Sequence, residues 1–272
     1  MFKYRKLGIP IVDDLLPQGI PVGSVIGITG PPGMGKTILI SICVKESLKH
    51  NETVIHIALD DDPLTVISEL ESIGIDISKA ISKGRFFIVD CYSSLGVSSR
   101  LQYPDFIKKI IISADPSKPP DILDRLLTMI REYNISKGLL VIDSLNEIMT
   151  KSDPSRVLDF VKGLRLITRQ HEMIGIVAIH TKIPGFEQLE EMLKFTLDGM
   201  IELSFDESFA QVGIPLRRIR IVRVKNAPHS LSWIPFTISQ GTIMPVDVKA
   251  LMERLRKMIA ELRATLPSEL RK

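Results

Sequence analysis

The residues with the clearest chemical meaning form one short glycine-rich segment of this 272-residue chain. Their types and spacing satisfy the phosphate-loop pattern GxxxxGK[ST], which is filled by Gly30, Pro31, Pro32, Gly33, Met34, Gly35, Lys36 and Thr37. The glycines allow backbone N–H groups to turn inward around a phosphate chain. In such a loop the lysine reaches the β- and γ-phosphates, and the threonine hydroxyl ligates Mg²⁺. The stretch from Gly30 to Ile38 therefore predicts a nucleoside-triphosphate site.

The segments on either side of the loop have the patterns that this site requires. Residues 24–29 are typical of a buried strand that enters the loop, and residues 38–49 of a helix that leaves it. The amino end of that helix would direct its partial positive charge at the phosphates. The alternative is a glycine- and proline-rich turn that binds nothing, but the strand, the Lys-Thr pair and the helix in series favour the phosphate site.

A carboxylate follows another apolar segment much later in the chain. Asp143 ends the predicted strand 138–143. Nucleoside triphosphatases place at this point the carboxylate that holds the water shell of Mg²⁺. We therefore expect Thr37 and Asp143 to be the metal-binding residues, the alternative being an aspartate that only ends a strand.

Hydrolysis also needs a group that orients and deprotonates the attacking water. The residue after Asp143 is Ser144, so that base is not supplied there. Asp60 and Asp61 follow the predicted strand 53–58, and we expect one of them to be the base. The alternative is that they cap the following helix together with Asp62, a role that suits Asp62 itself.

His180 follows the predicted strand 174–179. If this strand lies between the loop strand and the Asp143 strand, His180 faces the γ-phosphate and would take part in catalysis. The alternative is a histidine hydrogen-bonded to a loop carbonyl at the end of a strand.

Apolar runs that alternate with helical patterns predict an α/β protein with a mostly parallel, twisted sheet flanked by helices. Residues 216–225 and 233–238 are expected to be antiparallel strands at the sheet edge, and residues 248–266 an amphipathic C-terminal helix. Residues 91–120 are irregular and predict at most a short helix near 103–112. We expect one domain over residues 1–246 and a separate tail helix within 247–272.

Composition excludes several classes of protein. The formal net charge of +3 gives no overall electrostatic argument for nucleic-acid binding. Cys43 and Cys91 are the only cysteines, so the sequence predicts neither a disulfide framework nor a zinc site. This use of cysteine suits a reducing cytosol, so we expect a cytoplasmic protein. No apolar run is long enough to span a bilayer, so we expect no membrane partner.

Basic and apolar residues alternate over residues 217–225, which places the charges on one face of a strand. This pattern is compatible with a solvated strand face, a nucleic-acid groove, or basic side chains that reach a neighbouring subunit's nucleotide. Composition alone favours the first.

Several segments together resemble the KaiC-like ATPases of the RecA superfamily, which are related to RadA. These segments are DDLLPQGIPVGS at residues 13–24, the phosphate loop, VIDS at 141–144, Asp198-Gly199, and RVKNAPHS at 223–230 followed by Pro235-Phe236. RVKNAPHS is similar to the family's Lys-x-Arg-Gly-x-x-His-Ser segment. The resemblance covers residues 6–246.

The resemblance implies a RecA-like core, with nucleotide bound between the subunits of a ring that is commonly a hexamer. It also implies that Arg223, Lys225 and His229 approach the neighbour's triphosphate, as arginine fingers do. The chain departs from the family at Asp60 and Asp61, where relatives carry glutamates. It departs again at Lys225, where they carry arginine; Asn226 replaces glycine, and His180 stands where relatives often carry Gln or Glu.

The sequence therefore predicts a slow, Mg²⁺-dependent ATPase, with ATP and Mg²⁺ as cofactors and an oligomeric ring as the assembly. Asp is one methylene shorter than Glu, and a misplacement of about 1 Å can cost on the order of 10²-fold in rate. Two alternatives remain at this point. One is a RadA paralogue that binds single-stranded DNA in recombination or repair; the other is a nucleotide-gated scaffold for a protein partner, with little hydrolysis.

Overall fold

The computed structural model describes residues 3–93, 103–211 and 213–265. Within these residues ten strands form one sheet, in the order β12-β11-β10-β9-β3-β8-β7-β4-β5-β6, and β1 pairs with β2 separately. The strands are β1 Tyr4–Arg5, β2 Ile20–Pro21, β3 Val25–Gly30, β4 Thr53–Ala58, β5 Phe86–Asp90, β6 Ile111–Ser113, β7 Gly138–Asp143, β8 Met173–His180, β9 Gly199–Phe205, β10 Arg217–Val224, β11 Ile234–Ser239 and β12 Thr242–Pro245.

Helices connect and cover these strands. They are α1 Pro10–Leu15, α2 Lys36–Lys49, α3 Pro63–Ser72, α4 Ile77–Ser82, α5 Asp105–Lys108, α6 Pro119–Glu132, α7 Asn146–Lys151, α8 Pro154–Gln170, α9 Glu187–Thr196, α10 Glu207–Gln211 and α11 Val248–Thr265. The described residues contain no helix that is long and apolar enough to cross a membrane.

The sheet confirms the predicted fold class. Strands β9, β3, β8, β7, β4, β5 and β6 are parallel, whereas β10, β11 and β12 continue the sheet as antiparallel edge strands. Every residue of β3 and β4 is buried, because helices cover both faces of a parallel sheet. Valine and isoleucine make up half of the residues in each of these two strands, and the others are Gly, Thr, His and Ala.

The strand order places the site residues. Strand β8 lies between β3 and β7, which is the arrangement that the prediction for His180 required. Strand β4 pairs with β7 on its other side. Because these strands are parallel, the phosphate loop and the residues that end β4, β7 and β8 all lie together at the carboxyl ends of the strands.

The structure departs from the sequence predictions in several short segments. The helix expected near residues 103–112 is the single turn α5, and the three-residue strand β6 follows it. Asp153 directly precedes α8, a position at which the sequence predicts a capping aspartate, but its side chain accepts no hydrogen bond from the helix. Leu266, expected in the tail helix, and residues 94–102 of the irregular stretch lie outside the described residues.

Helix α11 lies outside the hydrophobic core. None of its described side chains belongs to the core or packs against it, and Met252 and Met258 are 39% and 51% exposed. The expected division of the chain at residues 246 and 247 stays a prediction.

Candidate functional site

The phosphate loop joins the carboxyl end of β3 to the amino end of α2. Gly30, Gly33 and Gly35 have φ values of 153°, 77° and 97°, which L-residues with a Cβ rarely adopt. At Gly30 an added Cβ would also lie 2.5 Å from the Leu203 carbonyl oxygen. The loop thus depends on glycine for its backbone conformation, and at Gly30 for close packing as well.

Lys36 is the buried cation of the loop. Its Nζ donates hydrogen bonds to the carbonyl oxygens of Gly30, at 2.8 Å, and Pro31, at 3.0 Å. Burial lowers the pKa of Lys36 to about 8, although the charges of Asp143 and Asp60 act in the opposite direction. An anion in the loop would favour the charged ammonium and replace these carbonyl contacts.

Asp143 lies beside Lys36 and Thr37 at the end of β7. Burial, together with the charges of Asp60 and Glu69, raises its pKa to about 7, while the Lys36 charge and a hydrogen bond with the Thr37 hydroxyl act to lower it. A carboxylate in this setting gains from a nearby cation. The pair Thr37 and Asp143 therefore has the oxygen chemistry that Mg²⁺ prefers.

The three aspartates after β4 have different surroundings. Asp62 caps α3, since its carboxylate accepts hydrogen bonds from the Leu64 N–H at 2.9 Å and the Thr65 hydroxyl at 2.6 Å. Asp60 Oδ2 lies 3.9 Å from His180 Nε2. Burial and the charges of Asp60 and Asp62 raise the pKa of Asp61. Helix capping thus explains the position of the Asp62 side chain, as expected. The Asp60 side chain instead faces the phosphate loop.

His180 lies at the carboxyl end of β8, level with Gly30 of β3. Its ring makes no hydrogen bond to a loop carbonyl: Nδ1 is buried without a partner among the described residues, and Nε2 faces Asp60. Burial and the Lys36 charge lower the pKa of His180. The ring therefore lies next to the loop rather than in the strand-end contact that was the alternative.

Asn146 is a site residue that the sequence did not reveal. Its Oδ1 accepts the His180 N–H at 2.7 Å, and its Nδ2 donates to the His180 carbonyl at 3.0 Å. The two bonds fix the end of β8 to the start of α7. The only signal in the sequence is an asparagine three residues after Asp143, which is too common a pattern to identify such a role.

Glu69 is a second acid that sequence reasoning did not select. It lies on α3, where burial and the Asp61 charge raise its pKa, and its own charge acts on Asp143. Seven residues separate it from Asp62, so it lies two turns along the same helix. Glu69 therefore adds negative charge to the site around the buried Lys36 ammonium.

Arg223, Lys225 and His229 do not join this group. Arg223 pairs with Met200 near the start of β9, and the Lys225 N–H donates to the Asp198 carbonyl. Because β9 runs parallel to β3, Lys225 lies near the start of β3, roughly 17 Å from Gly30 at 3.3 Å per residue. Arg223 and Lys225 are therefore at the amino end of the sheet, opposite their own phosphate loop, whereas His229 lies beyond β10, where its Nδ1 is 2.8 Å from the Ala227 carbonyl oxygen.

The other arginines of β10 have partners in the same subunit. Arg220 donates to Glu202 at 2.6 and 2.8 Å, and Arg218 lies 3.6 Å from Asp206. Both guanidinium groups also stack on Trp233, at 4.5 and 4.4 Å from the ring centroid. Arg218 and Arg220 are thus paired with acids, whereas Arg217 donates to the Gly33 carbonyl of the phosphate loop and Arg223 to the carbonyls of Lys194 and Leu197.

A profile described as "ATPase: KaiC" matches residues 5–246. The chain belongs to the KaiC ATPase family. Three curated relatives are UPF0273 proteins, and their sequences align over nearly the whole KaiC-type chain. The one from Pyrococcus horikoshii is 27% identical over 92% of this chain and 97% of its own. The one from Methanocaldococcus jannaschii is 28% identical over 93% and 100%, and the one from Thermotoga maritima 28% over 90% and 96%.

A solved structure supports the fold of this KaiC family member. The KaiC-like protein of Pyrococcus horikoshii is 21% identical, covers 91% of this chain and 100% of its own, and superposes with a TM-score of 0.68. At this identity the likeness concerns the fold alone.

The KaiC family implies nucleotide binding, and the loop geometry is compatible with a magnesium ion held in part by the nucleotide. Among the described residues no three His, Cys, Asp or Glu side chains are grouped closely enough to form a metal cage. Mg²⁺ in nucleotide sites is bound by one or two protein oxygens together with phosphate oxygens and water. Thr37 and Asp143 supply such a partial set, so their assignment to the metal remains a consistent prediction.

Proposed function

We propose that this KaiC family member binds ATP with Mg²⁺ and hydrolyses it slowly. The observation that carries the proposal is the convergence of Lys36, Asp143, Asp60 and His180 on the glycine-rich loop. A buried ammonium in the loop suits the phosphates, and the neighbouring carboxylates suit a metal and a water.

Each of these groups would have a separate role in binding or hydrolysis. The loop N–H groups and Lys36 hold the β- and γ-phosphates, and Thr37 and Asp143 hold Mg²⁺, which neutralises phosphate charge when it is bound. Asp60, directed at the loop, accepts the proton of the attacking water. His180, whose backbone is held by Asn146, offers a hydrogen-bonding ring next to the γ-phosphate.

We further propose that the nucleotide lies between subunits. Arg223 and Lys225 are at the amino end of the sheet, opposite their own loop, and His229 follows them in the chain. In a head-to-tail ring this end faces the loop of the next subunit, where the cations would neutralise transition-state charge. A hexamer is the assembly that the family resemblance favours.

A nucleotide-gated scaffold remains a second candidate because of α11. Its exposed Met252 and Met258 lie on an amphipathic helix that the core does not cover. ATP binding without appreciable hydrolysis would then order a surface for a protein partner. The single-stranded DNA alternative has less support, because Arg218 and Arg220 already have acidic partners.

The experiment is phosphate release from ATP by the full-length protein, with and without Mg²⁺, at concentrations that permit assembly. We expect slow Mg²⁺-dependent release, and a loss of about 10²-fold or more in Asp60→Ala, because a positioned base contributes that much. Lys36→Ala, which removes the phosphate-binding ammonium, is the control for contaminating activity.

Two results would contradict these assignments. If the wild-type protein binds ATP but releases no phosphate, the scaffold function replaces the ATPase. If Asp60→Ala and Asp61→Ala each keep the wild-type rate, neither aspartate is the base.

A further inference from the structure

Asp198 is a buried carboxylate at the amino end of the parallel strands, opposite the phosphate loop, and it contacts more cations than are required to neutralise its charge. Asp198 precedes β9, and its side chain is 4% exposed. Arg165 of α8 binds it through two hydrogen bonds, from Nε to Oδ2 at 2.9 Å and from Nη2 to Oδ1 at 2.6 Å. The Val25 N–H donates to the same carboxylate at 3.2 Å. The two parallel hydrogen bonds from the Arg165 guanidinium neutralise the carboxylate and give each of its oxygens a donor.

Two further cations share Asp198 Oδ1. Arg169 Nη2 lies 3.1 Å from this oxygen, and Lys225 Nζ lies 3.7 Å from it. Hydrogen bonds and charges from the arginines outweigh burial, so the pKa of Asp198 stays below its usual value. Burial and the charges of Arg165 and Arg223 lower the pKa of Lys225, against the pull of Asp198. The cluster thus carries excess positive charge that an anion would stabilise.

The surplus cations border an open cleft. It has a volume of about 380 Å³ and is lined in part by Gly23, Ser24, Arg169, Asp198, Lys225 and Asn226. The Arg169 side chain is 57% exposed and makes a single hydrogen bond to Asp198, whereas Arg165 is 20% exposed and makes two. Gly23, at φ 88°, passes next to the Arg169 backbone, where a Cβ would lie 3.1 Å from the Arg169 Cα. Arg169 can therefore turn into the cleft while Arg165 continues to hold Asp198.

We propose that Arg169 is a further catalytic residue that contacts the neighbouring subunit's triphosphate beside Lys225. The inference rests on the proposed shared nucleotide site and adds a residue that neither the sequence pattern nor the family resemblance selected. Lys225 is a point charge without the planar fork of arginine. Arg169 places its guanidinium within hydrogen-bonding distance of the same carboxylate oxygen. It therefore supplies the bidentate donor geometry that Lys225 lacks.

The chemical role is stabilisation of charge in one step of hydrolysis. The water oxygen forms a bond to the γ-phosphorus, and the bond from that phosphorus to the β–γ bridging oxygen breaks. The electron pair stays on the diphosphate, and the proton of the water passes to Asp60. The Arg169 guanidinium donates N–H groups to the phosphate oxygens on which negative charge is developing.

The test is complementation between two inactive variants of the full chain. Arg169→Ala keeps an intact loop but lacks the proposed donor, and the double variant Asp60→Ala/Asp61→Ala keeps Arg169 but lacks the base. We expect a loss of about 10-fold or more for Arg169→Ala assemblies, since one preorganised donor is worth that or more. In an equal mixture roughly one quarter of the interfaces pair an intact loop with an intact Arg169, so activity should recover to about that fraction of wild type.

The controls separate this inference from a structural role and from the proposed function. Arg156→Ala removes an exposed arginine from the same helix and should keep the wild-type rate. Arg169→Lys should recover part of the loss while light scattering shows unchanged assembly.

Three outcomes would overturn the inference. These are an unchanged rate in Arg169→Ala, a mixture that stays inactive although native mass spectrometry shows mixed assemblies, and a loss fully explained by failed assembly. If the wild-type protein itself does not hydrolyse ATP, the proposed function fails first.

Discussion

Asp143, which we propose as a magnesium-binding residue, lies in surroundings that oppose the ionisation of its carboxyl group. Its pKa is raised from 3.8 to about 7 by burial, by Asp60 and by Glu69. Between these values the folded protein binds more protons than the unfolded chain, so this carboxyl makes the fold less stable as pH rises towards 8. The proposed role of Asp143, a carboxylate kept ready for a cation, would account for this destabilisation.

Asp143→Asn should therefore stabilise the nucleotide-free protein and abolish hydrolysis. We expect an increase of roughly 2–8 °C in Tm near pH 8, since a neutral amide removes the cost of the buried charge. The difference should be smaller at pH 6 and should shrink further towards pH 4, because the cost accumulates between pH 3.8, where the unfolded carboxyl ionises, and about pH 7, where the folded one does. Thermal unfolding in a chelator at both pH values measures this, and a difference that grows on acidification would contradict it.

At the level of single residues, the sequence identified the side chains whose spacing is characteristic. The loop from Gly30 to Thr37 and Asp143 at a strand end are recognised by pattern. Asn146 was not recognised, because its role depends on the backbone of His180, which is 34 positions away in the chain. A long-range hydrogen bond of this kind leaves no local pattern.

The elements predicted with the closest bounds are those buried on both faces. β4 and β7 have the predicted bounds, because a nearly continuous apolar run that ends in polar residues defines such a strand. The short segments α1, β6 and α10 were missed, since so few residues show no clear periodicity. The position of β8 between β3 and β7 is decided by tertiary packing, and it brings His180 to the loop.

The glycines of the loop allow a test of how the elements fit together. Gly30→Ala should cost about 2–4 kcal/mol of unfolding free energy, because its Cβ would meet the Leu203 carbonyl of β9 in addition to the strain at positive φ. Gly33→Ala is the matched variant: it also has a positive φ, but no heavy atom lies within 4 Å of its added Cβ. It should cost about 1–2 kcal/mol.

Chemical denaturation of both variants without nucleotide gives the comparison. Equal losses in the two proteins would show that packing of the loop strand against β9 does not limit the substitution at Gly30.

For the whole molecule, the main question is assembly. Lys225 lies roughly 17 Å from the phosphate loop of its own chain. If Arg223, Lys225 and Arg169 act on a nucleotide, that nucleotide belongs to another subunit. The prediction for the assembly therefore follows from the direction of β10 relative to β3.

Light scattering should show a ring when ATP and Mg²⁺ are present and a smaller species in their absence. A monomer under both conditions would leave Arg223 and Lys225 without a nucleotide to contact.

A chain ending at Val246 should bind ATP and unfold within about 2 °C of the full chain, because the described side chains of α11 lie outside the core. A large loss of stability on truncation would show that α11 is part of the domain.

The sequence by itself determined the ligand class, the α/β fold and the resemblance to KaiC-like ATPases, because a phosphate loop and buried parallel strands each depend on neighbouring residues in the chain. Tertiary structure decided which aspartate faces the loop, what fixes His180, and that Arg223 and Lys225 lie at the far edge of the sheet. It also placed Arg169 on the same carboxylate as Lys225, 56 positions later. These relations depend on strand order and direction, and both are set by packing between distant parts of the chain.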